Sequence, residues 1–121
     1  MQTAILLIAH GSRVPGANDD LKQLAEHLAA RRKGEIVEYA YLELTEPTIP
    51  QGLQACVARG AAEVRMLPWF LSAGAHVTQD LEAYRRRFAE EQPAVRCRIC
   101  PPLGLHRLMV DILLDRLEAA D

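Results

Sequence analysis

The sequence has no apolar run approaching the roughly 18 residues needed to cross a bilayer. Its start, Met1 to Ala9, is too short for a signal peptide and lacks a basic leading segment. A membrane partner is therefore not expected, and the expectation is a cytoplasmic protein. Charge of one sign is not in excess: 14 basic against 16 acidic residues leave a net charge of −2, which argues against a non-specific nucleic-acid surface. Aromatics are scarce, six in 121 residues, and they do not interleave with the basic ones. Cysteines number three, an odd count that argues against a secreted disulfide framework. Cys97 and Cys100 form a C-x-x-C, but on an alternating, strand-like stretch whose odd separation points the two side chains to opposite faces. No second pair completes a zinc site, so these read as packing cysteines. No Gly-x-Ser-x-Gly, no Gly-x-Gly-x-x-Gly and no phosphate loop ending in Gly-Lys-Ser/Thr is present.

What remains is an ordinary globular composition, half apolar and a quarter charged. Its length suits one domain over residues 1–121. Strand-like and helix-like segments alternate. Thr3 to Ala9 is a nearly continuous apolar run, the signature of a strand buried on both faces. Leu21, Leu24, Ala25 and Leu28 fall at helical spacing, and Gly34 is placed as the closing cap of that helix. Ile36 to Leu42 reads as a second strand. Thr48 caps a second helix with the stripe Ile49, Leu53, Cys56 and Val57, which Gly60 ends. A third strand lies within Ala62 to Trp69. A loop over 70–75 precedes a third helix marked by Val77, Leu81, Tyr84 and Phe88. Ala94 to Ile99 is a fourth strand. A last helix carries Leu105, Leu108, Met109, Ile112, Leu113 and Leu117, facing inward or an interface.

Four β-α units with short connections predict an α/β fold: a mainly parallel four-stranded sheet with helices on both faces, as in flavodoxin-like three-layer sandwiches. In such sheets ligands bind beyond the carboxyl ends of the strands where the strand order reverses. With the order 2-1-3-4, that point lies between the first and third strands. The loop after the first carries His10, and the loop after the third carries His76. Gly11 and Gly74 permit close approach of a ligand to the backbone. Neutral imidazoles ligate divalent cobalt, nickel, iron and zinc, and accept protons near neutral pH. His27, mid-helix, is expected to face solvent, and His106 reads as structural or exposed. A phosphate-handling alternative stays open, with His10, Ser12 and Arg13 lining an anion pocket near a helix start.

Four stretches together carry a resemblance: HisGlySerArg (10–13), TyrLeuGluLeuThrGluProThrIlePro (41–50), ProTrpPheLeuSerAlaGlyAlaHis (68–76) followed by Asp80, and ProProLeuGly (101–104). In this order they resemble the short sirohydrochlorin chelatases of the class II chelatase family. The resemblance implies a chelatase-like fold and insertion of a divalent metal into sirohydrochlorin, with release of two pyrrole protons. It implies no organic cofactor: the metal is a substrate, Co²⁺ first, with Ni²⁺ or Fe²⁺ as alternatives. His10 matches the proton acceptor and metal ligand, and His76 the second metal-binding histidine. Glu46 matches an acidic substrate contact. Leu71, Ser72, Ala73, Gly74, Ala75 and His76 match the substrate-contacting loop. Glu43 is a further candidate for metal or proton handling. Ser12 and Arg13 are available to the substrate's carboxylates. The chain departs from the pattern at Ala73, Leu81 and Glu82, which keeps a non-catalytic metal or tetrapyrrole carrier as an alternative. The family's larger members have two lobes around the cleft. Its short forms resemble one lobe and pair as homodimers, for which the apolar surface over 105–117 is a candidate contact.

Overall fold

A computed structural model describes residues 2–72 and 74–120 of the chain. Strands β1 (Gln2–Ala9), β2 (Ile36–Tyr41), β3 (Ala61–Pro68) and β4 (Arg96–Ile99) alternate with helices α1 (Pro15–Arg31), α2 (Ile49–Ala58), α3 (Ala75–Glu91) and α4 (Met109–Ala119). The strands form one sheet in the order β2-β1-β3-β4, with every pair parallel. The expected fold and strand order are therefore present, and the order reverses between β1 and β3.

The apolar run of β1 is what places it in the middle. Every residue from Ala4 to Ala9 is buried, and alternation sends them to two separate cores. Ala4, Leu6 and Ile8 pack with Ile49, Leu53 and Cys56 of α2 and with Leu81 and Phe88 of α3. Leu7 and Ala9 pack with Leu21 and Ala25 of α1 and with Tyr41. Thr48 caps α2 as expected: its hydroxyl accepts from the Gln51 amide, while the Gln51 side chain accepts from the Thr48 amide. Gly52 lets α2 sit close to the sheet, since a Cβ there would meet Leu6 Cδ1 at 2.7 Å and Ala40 Cβ at 2.9 Å.

Three expectations need correction. Helix α1 begins at Pro15, well before Leu21, because its first turns carry no large apolar residue to mark them. It ends at Arg31, so Gly34 lies in the following turn rather than as its cap. His76 is not on a loop: α3 starts at Ala75 behind Gly74, so Ala75 and His76 belong to its first turn.

A further correction concerns α4. Simple packing on the sheet was one reading of its apolar stripe, but all of 110–120 is exposed, and no α4 residue is buried. The reason lies in the strands. Val64 and Met66 of β3 and Cys97 and Ile99 of β4 face the α2–α3 core. The opposite face of these two strands therefore presents Glu63, Arg65, Arg96 and Arg98, tied by an Arg98–Glu63 ion pair at 2.8 Å. A charged strip of this kind offers no seat for an apolar helix.

Candidate functional site

The site is built from strand ends. His10 follows β1, Glu43 follows β2, and His76 opens α3 after β3. Two backbone hydrogen bonds continue the β1–β2 pairing past the sheet: Leu42 N–H donates to Ala9 O at 2.9 Å, and Glu43 N–H to His10 O at 3.0 Å. This zipper aligns the two side chains, so that His10 Nε2 lies 2.9 Å from Glu43 Oε1. Phe70, just beyond β3, meets the His10 ring edge-on, with centroids 6.2 Å apart and planes at 78°. Gly11 makes the zipper possible. It sits at φ +101°, and a Cβ there would fall 1.9 Å from Glu43 O.

The strand ends enclose an open cavity of about 430 Å³, lined by His10, Leu42 and Glu43 on one side and by His76, Asp80 and Tyr84 of α3 among those on the other. Its volume is that of a small-molecule site. The ionisable side chains lining it are two imidazoles and the carboxylates of Glu43 and Asp80, with Tyr84 beside them; no lysine or arginine borders it among the described residues. Such a donor set suits a divalent cation of borderline softness. His10 and Glu43 form a ready pair, whereas His76 faces them from the other wall. Among the described residues no three His, Cys, Asp or Glu side chains stand close enough to hold one ion together.

The remaining expected site residues lie around this cavity or apart from it. Ser12 is engaged in its own loop: its amide donates to Asn18 Oδ1 at 2.9 Å, its carbonyl accepts from Asn18 Nδ2 at 2.7 Å, and its Oγ accepts from Val14 N–H at 3.0 Å. Its backbone amide is thus spent on Asn18. Arg13 is exposed and makes no ion pair among the described residues. Glu46, Leu71, Ser72 and Gly74 are exposed and do not line the cavity; Leu71 O accepts from Gly104 N–H at 2.8 Å. Ala73 lies outside the described residues. His27 is exposed, as expected.

Sequence reasoning gave no role to Asp80, Tyr84, Phe70 or Asn18. For Asp80 and Tyr84 a signal existed, since they follow His76 at steps of four and so share its helix face. The Asn18 lock had none. Tyr41 Oη donates to Asn18 O from 23 residues away in sequence, a contact only the fold creates.

Comparison with known proteins bears on this arrangement directly. The CbiX family model matches residues 4–120. The sirohydrochlorin ferrochelatase of Bacillus subtilis is 34% identical over 118 residues, which cover 98% of this chain and 45% of that protein. The sirohydrochlorin cobaltochelatase of Sulfolobus acidocaldarius is 30% identical over 116 residues, covering 96% of this chain and 90% of that one. The solved structure of the sirohydrochlorin chelatase SirB from Bacillus subtilis subspecies spizizenii, in complex with cobalt, superposes with a TM-score of 0.92 at 33% identity, over 98% of this chain and 51% of that chain. The chain thus spans about half the length of the Bacillus proteins it matches and nearly all of the Sulfolobus one. With the family model running from the middle of β1 through α4 and so including every strand end that builds the cavity, the chain belongs to the CbiX family.

Proposed function

We propose that this protein inserts a divalent metal, cobalt first among the candidates, into sirohydrochlorin with release of two protons. The observation that carries the reading is the facing of His10–Glu43 and His76 across one cavity at the carboxyl ends of β1, β2 and β3. Metal insertion needs a site that holds the ion without closing around it and a base for the displaced pyrrole protons. His10 serves as that base and as a metal ligand. Glu43, with Oε1 2.9 Å from His10 Nε2, orients the ring and balances the positive charge that a proton or an ion brings. His76 holds the ion from the opposite wall. Two imidazoles and no thiolate leave coordination positions for the incoming pyrrole nitrogens. Leu44 and Leu71, 53% and 68% exposed on the loops after β2 and β3, present apolar surface to a flat macrocycle. Arg13 supplies a free cation for its carboxylates. Relatives named for iron and for cobalt both occur, and imidazole donors serve either.

The reading includes a homodimer, supported by α4. Met109, Val110, Leu113, Leu114 and Leu117 share one helix face. Seven aliphatic side chains between Leu105 and Leu117 are about half or more exposed. Together they offer roughly 700–800 Å², about what each partner contributes to a standard interface. The charged outer strip of β3 and β4 gives them no seat in their own domain, so a second copy is the occupant. A cytoplasmic setting is supported by three free cysteines and by the absence, among the described residues, of a helix long and apolar enough to cross a membrane.

The test is metalation. Protein mixed with sirohydrochlorin and Co²⁺, Ni²⁺ or Fe²⁺ is expected to speed the absorbance change over the spontaneous rate. His10→Ala and His76→Ala are each expected to remove most of the gain. No acceleration with any of the three metals overturns the reading.

A further inference from the structure

We infer that Asp80 is a second cation-holding carboxylate of this cavity, set one helical turn beyond His76 on the α3 wall and across from the His10–Glu43 pair. The inference rests on the metal-insertion reading and names a residue that binds the arriving ion. The cavity takes His76, Val77, Asp80, Ala83 and Tyr84 from α3. Those positions are one face of a single helix, so the Asp80 side chain stands one turn beyond His76 on the side turned toward His10 and Glu43.

Its charge is unspent. The arginines of α3 are committed elsewhere: Arg85 and Arg86 to Glu82, and Arg87 to Glu91. Asp80 has no ion-pair partner among the described residues. A role as complement to the helix dipole is weak, because that effect is confined to the first turn and Asp80 is in the second. What faces it instead is a cavity lined by no lysine or arginine among the described residues and by one other carboxylate, already in contact with His10 Nε2 at 2.9 Å. Glu43 alone leaves a divalent ion half-compensated; Asp80 supplies the second negative charge from the opposite side. The donors thus form two half-sites, His10–Glu43 and His76–Asp80. Each alone offers only two donors and so holds an ion without closing around it, consistent with the lack of any three-donor cluster among the described residues. An ion taken up at the His76–Asp80 edge can pass to the His10–Glu43 edge without leaving the cavity.

The test is Co²⁺ affinity, measured by equilibrium dialysis on the intact protein without tetrapyrrole. Asp80→Asn keeps the shape and removes the charge at an exposed helix position, so folding is retained and checked by circular dichroism. It is expected to raise the Kd for Co²⁺ about tenfold, a change of about 1.4 kcal/mol, while Asp80→Glu stays within about threefold of the parent. Glu90→Gln removes an equal charge from the same helix outside the cavity and is expected to leave the Kd within about twofold. The inference is overturned if Asp80→Asn binds Co²⁺ as tightly as the parent, if Glu90→Gln weakens binding equally, or if the parent binds no Co²⁺ at all. Metalation of sirohydrochlorin by the parent protein separately decides the wider reading. A protein that binds Co²⁺ through Asp80 yet never speeds metalation upholds this inference and sinks that one.

Discussion

Replacing Gly11 with alanine isolates the contact on which the cavity's geometry depends. Gly11 sits at φ +101°, a region that costs an L-residue roughly 1–2 kcal/mol. Its new Cβ would stand 1.9 Å from Glu43 O and 3.0 Å from Glu43 C. The obstacle is backbone, not the end of a flexible side chain, so the segments after β1 and β2 must part by about an ångström or more to reach van der Waals distance. That movement breaks the hydrogen bonds from Glu43 N–H to His10 O and from Leu42 N–H to Ala9 O, each worth about 1 kcal/mol net. The sum is about 3–4 kcal/mol, or a fall in Tm of about 10–15 °C for a chain of this size. Gly34→Ala is the matched control. Gly34 has φ +92° but no atom within 4 Å of its would-be Cβ, so it loses only the backbone term, about 1–2 kcal/mol. Differential scanning calorimetry of the two variants measures the clash as their difference, and Co²⁺ titration of Gly11→Ala reports the loss of the His10–Glu43 pair. Equal Tm values for the two variants, with parental Co²⁺ affinity in Gly11→Ala, would refute the reasoning.

Two further outcomes follow from exposure and burial. Leu113→Glu combined with Leu117→Glu should convert a species of two copies into one by light scattering, with Tm changed by no more than a few degrees after allowing for concentration, because neither side chain packs on its own domain; an unchanged mass would show that α4 is not the contact. Burial pushes the Cys56 thiol up to about 12 and the Cys97 thiol up to about 11, and thiolate is the reactive form. Ellman's reagent at pH 8 should therefore find at most one rapid thiol in the native protein and all three in guanidinium; two rapid native thiols would contradict the packing of one of them.

The readable parts of this fold are those where local pattern and global role agree. The run Ala4–Ala9 could only be a strand covered on both faces, and both cores now seen on it confirm that. His10 and His76 became a pair through topology, since the reversal of strand order puts the ends of β1 and β3 side by side. The sequence marks Asp80 only as following the 68–76 stretch, because a carboxylate on an exposed helix face has the same sequence signature whether it faces solvent or a cavity. Only the start of α3 at Ala75 puts His76 on a helix and makes the step of four meaningful. The stripe of α4 was equally plain, but periodicity states that a face will be covered and not by what. The alternation of charge on β3 and β4 held that answer: Glu63, Arg65, Arg96 and Arg98 exclude the helix from its own sheet. Asn18, which locks the Ser12 loop, lay beyond any local rule.

The division between core and site makes the site unusually clean to test. His10, Glu43, His76 and Asp80 are all exposed, and none belongs to either buried cluster. The His10–Glu43 contact has both side chains more than half exposed, 54% and 56%, and an ion pair of that kind contributes about 0–1 kcal/mol. Removing His76 or Asp80 deletes no packed atom, which places the change within about 0.5 kcal/mol. Single substitutions His10→Ala, Glu43→Gln, His76→Ala and Asp80→Asn should therefore keep Tm within about 3 °C of the parent while altering metal binding or turnover. If His10→Ala or Glu43→Gln instead lowers Tm as far as Gly11→Ala does, the side-chain pair rather than the glycine contact holds the ends of β1 and β2 together. The energy would then sit in the site itself, and the cavity could not be varied without cost to the fold. If Tm holds, every loss of cobalt affinity in this set is chemistry at the cavity and not damage to the domain that carries it.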